Sequence, residues 1–170
     1  LAGNTVTIVD SVSHLVSLAA SPVASVINAW QPTISPNGDG TVTLTELASL
    51  STLPGFDRGS FHLTLTGTAS ALAAHAQAPD LALIDGTRLS VDATVTIAQA
   101  QTLSTLPSFS HNGHVLTVAD TAANMLHVTG NGPVPDNWVG ALIADRVILT
   151  ADASIDTVGA TQLARLGSRF

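Results

Sequence analysis

Residues 39–56, DGTVTLTELASLSTLPGF, and residues 92–109, DATVTIAQAQTLSTLPSF, are identical at ten of eighteen positions without a gap, at an offset of 53. An internal repeat constrains the fold strongly, because each copy must take the same elements and bury its apolar face on a neighbour. A weaker third copy, DASIDTVGATQLARL at 152–166, keeps Asp152, Ala153, Ala160, Leu163 and Leu166. The other half of the pattern recurs as well, in VTIVDSVSHL (6–15), LTLTGTASAL (63–72) and LTVADTAANM (116–125). The chain therefore reads as one repeat domain over 1–170, with repeats at about 1–57, 58–110 and 111–170, each made of two similar half-units.

Each half-unit carries the same physical signals. A short alternating stretch, such as Val42-Thr43-Leu44 or Leu63-Thr64-Leu65, has the period of a half-buried strand. Apolar residues then recur every third position, at Leu44, Leu47, Leu50 and Leu53 and at Ile97, Ala100, Leu103 and Leu106. That spacing predicts a short helix with one apolar stripe. Leu53-Pro54 and Leu106-Pro107 close two of these helices. Phe56 and Phe109 follow at matching places and are expected to plug the core between neighbouring turns. LALIDGTRLSV (81–91) reads as two brief strands around an Asp-Gly turn, and the Gly- and Pro-rich insert 127–140 as an exposed loop. The fold class expected is α/β: a repeat solenoid of short parallel strands, each followed by a short helix. A compact α+β arrangement of the same units is the alternative.

Composition narrows the class of function. The formal net charge is -7, and no lysine is present. An acidic surface offers nothing to nucleic acid or anionic membranes. Cysteine is absent, which excludes disulfides and thiolate metal sites. No apolar run reaches the ~18 residues of a membrane span. LAGNTVTIVD lacks the charged start of a signal peptide and opens almost directly on a strand pattern, as a fragment of a longer chain or a mature terminus would.

SPNGDGTVTLTE (35–46) is the one stretch with metal-ligand spacing. A calcium loop of the EF-hand kind takes oxygen ligands at positions 1, 3, 5, 7, 9 and 12 and glycine at 6. With Ser35 at position 1, Asn37, Asp39, Thr41 and Glu46 become the candidate calcium ligands, with Gly40 at the turn and Thr43 at position 9. NGDGTVTLTELASL resembles the loop and helix of dockerin modules, which bind calcium through this spacing. Ser35 stands where the pattern wants Asp. The repeat offers a different reading. Asp39 aligns with Asp92 and Asp152, Gly40 with Ala93 and Ala153, and Glu46 with Gln99. Thr43…Glu46 and Thr96…Gln99 then spell capping boxes, with Asp156 at the cap position in the third copy.

Other chemistry is sparse. His111 and His114 form the one close histidine pair, without a third zinc ligand nearby in sequence. His14, His75 and His127 fall on or after short helices and read as ordinary partly exposed residues. Trp30 and Trp138 border Gly-, Pro- or Asn-rich stretches and read as loop anchors, or as one wall of a sugar site. Thr-x-Thr recurs at 5/7, 41/43/45, 64/66 and 94/96, as suits strand and cap positions. An ice-binding Thr ladder is the minor reading, because the spacing breaks in the third repeat. No nucleophile elbow, P-loop, dinucleotide fingerprint or zinc-protease helix is present.

The strand segments, AQAQTLSTLPSF (98–109) and LTVADTAANM (116–125) resemble the repeat regions of large bacterial surface or secreted proteins exported by type I systems. That resemblance implies an extracellular or cell-surface location and an adhesin, surface-layer or stalk role. No GGxGxD run accompanies it, so the calcium-roll fold of that group is not implied. The expected function is a non-catalytic structural or adhesive repeat segment. Its partners would be neighbouring repeats of the same protein or other surface molecules. The alternative is a glycan- or small-ligand-binding module, calcium-dependent through Asn37, Asp39, Thr41 and Glu46, or an enzyme on the same scaffold.

Overall fold

The computed structural model describes residues 6–126 and 138–170. They belong to two compact units, one drawn from Leu1–Thr66 and Gln77–Arg88, the other from Gly67–Ala76 and Leu89–Phe170. Strands and short helices alternate along both, so the class is α/β with parallel sheets. Among the described residues no helix is long and apolar enough to cross a membrane.

In the first unit β1 (Thr7–Asp10) leads into α1 (Val12–Ala19) and α2 (Ala24–Asn28), and β2 (Thr33–Pro36) returns to lie parallel to β1. β3 (Gly40–Thr43), α3 (Leu44–Ser51) and β4 (Leu63–Gly67) repeat the motif, and β5 (Gly86–Leu89) lies beside β4. The β3–β4 register pairs Gly40 with Leu63, Thr41 with Thr64 and Val42 with Leu65. Period-2 alternation explains the faces. Val42, Leu63 and Leu65 are buried, while Thr41 and Thr43 look outward opposite Thr64 and Thr66. Leu47, Leu50 and Leu53 cover that sheet with the stripe that their spacing predicts.

The second unit contains α4 (Ala69–His75), β6 (Ala93–Val95), α5 (Ile97–Ser104), the two-residue β7 (Phe109–Ser110), β8 (Leu116–Asp120), α6 (Ala122–Met125), α7 (Trp138–Ile143), β9 (Arg146–Leu149) and α8 (Thr157–Ala164). β6, β8 and β9 form a parallel sheet, with Ala93 opposite Leu116 as Gly40 is opposite Leu63. Ile97, Ala100, Leu103 and Leu106 are all buried. α7 packs on α5, and a Cβ at Gly140 would lie 2.5 Å from the Gln101 backbone nitrogen. Only a residue without a side chain lets two helices approach so closely.

Two details differ from the expectation. Residues 79–83 form a 3-10 helix that starts at Pro79, so the stretch 81–91 holds one strand, β5. Proline fixes φ for such a turn and cannot donate to a ladder. Phe56 and Phe109 are only half-buried. Their neighbours Leu53 and Leu106 take the core positions, while the Phe56 backbone bridges to Ile34 and the Phe109 ring meets His111 edge-on. His127 and most of the insert 127–140 lie outside the described residues.

Candidate functional site

The stretch 35–46 is built as strand and helix. Positions 6 to 9 of the candidate calcium loop, Gly40–Thr43, are β3 itself. Successive side chains of a strand point to opposite faces and do not wrap one ion. Thr43 is the N-cap of α3: its Oγ1 accepts the Glu46 N–H at 3.3 Å, and the Glu46 carboxylate accepts the Thr43 N–H at 2.8 Å. Both arms of the capping box are therefore made, and Glu46 is turned back onto its own helix. Thr96 and Gln99 make the same box on α5, and Asp156 caps α8 through the Gly159 N–H at 2.7 Å. Ser11, Thr68 and Thr121 cap α1, α4 and α6, so six half-units keep one capping position.

Asp39 is committed elsewhere. Its Oδ1 accepts the His62 N–H at 2.7 Å, while the Gly40 N–H donates to the His62 carbonyl at 2.9 Å. Asn37 is exposed, and its backbone N–H donates to the Asp10 carbonyl. Thr41 sits in the ladder opposite Thr64. Asp39, Thr41 and Glu46 do line an open hollow of about 270 Å³ together with Ser11, Ser13 and Val16 of the α1 segment. A calcium ion needs six to eight converging oxygens. With both carboxylates already accepting backbone N–H groups, this donor set does not fit one. Among the described residues no three His, Cys, Asp or Glu side chains gather as a metal site would require. Gly40 has a steric reason of its own, since a Cβ there would lie 2.5 Å from Val12 Cγ2.

Two of the recurring aspartates, Asp39 and Asp92, are clamps. In the second unit Asp92 repeats Asp39, accepting the Val115 N–H at 3.0 Å while the Ala93 N–H donates to the Val115 carbonyl. The spacing is 23 residues in both cases. A second clamp fastens the next strand: Asp85 Oδ2 accepts the Leu63 N–H at 3.2 Å and Asp145 Oδ2 accepts the Leu116 N–H at 2.8 Å. The backbone N–H of each donates back, to the Leu63 and Leu116 carbonyls. Each of these carboxylates meets a nitrogen-bearing side chain from the same repeat position. Arg58 lies 2.9 Å from Asp85, and the His111 ring nitrogen 2.8 Å from Asp145. His114 instead faces Asp92 at 3.4 Å, so the histidine pair is divided between two clamps rather than converging.

A third set of aspartates sits at the strand ends. Asp120 is 7% exposed and accepts from the Ile97 N–H at 3.1 Å, the Thr121 N–H at 2.8 Å and the Asn124 amide at 2.6 Å. Burial pushes its carboxyl up, but these donors outweigh burial and hold it below the ordinary aspartate range. Asp10 occupies the matching place in the first half-unit and bonds the His14 ring at 2.9 Å, which with the Ser11 N–H lowers its carboxyl too. Beside it lies a second open hollow of about 490 Å³, lined by Asp10, His14, Ser17 and Ser21 together with Ile8, Leu15, Leu18 and Ile27. Trp30 is exposed.

Neither the clamps nor the reach of Asp120 could be found from local sequence, because a backbone N–H 23 residues away leaves no residue-type signature. The signal available was the recurrence of Asp itself at 39, 92 and 152. Comparisons with protein-family models, with curated proteins and with solved structures find no match to this chain.

Proposed function

We propose that this chain is a non-catalytic structural or adhesive repeat segment of an extracellular bacterial surface protein, built as a solenoid of short strand-helix coils. The observation that carries the reading is where the recurring polar side chains are spent. Caps at six half-units fix the start of each helix, and clamps at Asp39, Asp92, Asp85 and Asp145 hold one stretch of backbone to the next. A residue type retained at every repeat for such bonds serves the scaffold. The absence of lysine and cysteine accords with the resemblance to secreted repeat regions.

Tandem fusions test the reading. Joining Phe170 directly to Leu1 of a following copy places Val6 23 residues after Ala153, the spacing of the Gly40–Leu63 and Ala93–Leu116 pairs. A solenoid then continues without a linker. The longest dimension measured by small-angle scattering for one, two and three copies should grow in proportion to copy number. Growth nearer the square root, as for beads on a flexible tether, would sink the solenoid segment.

A glycan- or small-ligand-binding module remains the second reading, favoured by the open hollow beside Asp10 and His14. Saturable binding of a soluble glycan, lost in His14→Ala, would select it over the structural one.

A further inference from the structure

The two ends of the repeat pattern are complementary half-ladders. DGTVT and DATVT each start a ladder, as β3 and β6, and each is covered by a strand of the second type, LTLTG in β4 and LTVAD in β8. The third copy of the first type, DASID at 152–156, forms no strand. Its Ile155 is 39% exposed, where Val42 and Val95 are 1% and 4% exposed. Asp152 is the counterpart of the clamps Asp39 and Asp92 and is exposed as they are. β1 is the reverse case. VTIVD matches β4 and β8 in sequence, yet among the described residues β1 pairs with β2 alone. Val6 and Ile8 are half-buried, while their counterparts Leu63, Leu65, Leu116 and Val118 are wholly buried. Among the described residues, the segment 152–156 has no covering strand and β1 has no starting strand beside it.

We propose that the segment 152–156 of one molecule pairs in parallel with β1 of a second copy, head to tail. The inner ladders fix the register: Ala153 opposite Val6, Ser154 opposite Thr7 and Ile155 opposite Ile8. Ile155 and Ile8 then bury each other as Val42 and Leu65 do, and Asp152 faces the start of the incoming strand, the place that Asp39 and Asp92 fasten. Unpaired edges are ordinarily blunted by lysine or proline. This chain has no lysine, and neither 152–156 nor 6–10 contains proline. The contact uses different surfaces on the two partners, so it propagates unless the rotation closes a ring. The proposal rests on the repeat-segment reading and adds its partner, a second copy of this chain.

The absence of cysteine makes the register directly testable. Neighbouring strands lie about 4.8 Å apart, within disulfide reach. Ser154→Cys and Thr7→Cys chains, mixed under mild oxidation, should cross-link at least tenfold more than Ser154→Cys mixed with Val26→Cys, an exposed position on α2. Sedimentation of the unmodified chain should show mass rising with concentration. Ile155→Asp and Ser154→Pro should each weaken that rise at least tenfold without moving the melting temperature of the isolated copy. Three results would overturn the pairing: a monomer up to hundreds of micromolar, association that survives both variants, or Ser154→Cys linking to itself as readily as to Thr7→Cys. A persistent monomer whose tandem fusions still lengthen in proportion refutes pairing in trans and leaves the structural segment standing.

Discussion

Replacing Asp120 with alanine separates a carboxylate that holds the fold from one that merely decorates it. Three donors lose their acceptor. The Ile97 N–H matters most, because Ile97 is 3% exposed and water cannot take the place of the carboxylate. A buried donor left unmade costs about 1–3 kcal/mol. The Thr121 N–H and the Asn124 amide are nearer solvent and add about 0.5–1 kcal/mol together. The sum is about 1.5–4 kcal/mol, which for a chain of this size lowers the melting temperature by about 3–16 °C. The measurement is a thermal melt by circular dichroism of parent and Asp120→Ala at neutral pH, repeated in acid. Since the folded-state pKa of Asp120 lies below its unfolded value of about 3.9, its contribution is complete above that pH. It fades as pH falls through the folded value, so the gap between parent and variant should close in acid. Asp10→Ala is the built-in control: the same repeat position, exposed, and expected to leave the melt nearly unchanged. An Asp120→Ala melt within about 1 °C of the parent at pH 7 would refute the idea that this carboxylate supports the buried N–H.

Thr43→Ala and Thr96→Ala should each cost about 1 kcal/mol by removing one arm of a capping box, seen as a shift in urea midpoint with the slope unchanged. Millimolar calcium should leave the melt of the chelator-treated chain where it was, magnesium serving as control; a calcium-specific rise lost in Asp39→Ala would show that Asp39 and Glu46 leave their backbone partners for an ion. Gly40→Ala should destabilise by about 1–3 kcal/mol through the clash with Val12, and Val12→Ala in the same chain should recover part of the loss in chemical denaturation. Thr87 is 1% exposed, and its hydroxyl has no partner among the described residues. Thr87→Val should therefore stabilise by about 1 kcal/mol, read as a higher melting temperature.

What the sequence made legible follows the range of each interaction. Capping boxes span four residues, and both were readable from Thr43…Glu46 and Thr96…Gln99 alone. The Leu47-Leu50-Leu53 stripe and its counterpart on α5 were readable for the same reason, since periodicity is local. The aspartates are visible as recurring but not as clamps, because their acceptor role is completed by a backbone donor 23 residues later. Phe56 and Phe109 are not core plugs: their matching places in the repeat suggest it, yet leucines three residues before each already fill the interior. In the stretch 81–91 apolar alternation competed with Pro79, and the proline prevailed by starting a 3-10 turn. The candidate calcium loop shows how much one spelling can serve two ends. Its Gly is set by the close approach of Val12, and its Glu by the N-cap of α3.

The Asp clamps have a consequence for how such a chain can vary. Asp85 and Asp145 fasten equivalent strands, yet the stretch each closes is 22 residues in one case and 29 in the other. The extra residues leave both ends of the stretch tied at the same atoms, because the clamp bonds its two termini and is indifferent to the path between them. Lengthening a closed segment of this size costs only a few tenths of a kcal/mol in closure entropy. Mutation can therefore add sequence between Leu116 and Asp145 without disturbing the ladder, and an epitope grafted into that interval would be carried on a frame whose alignment does not depend on it.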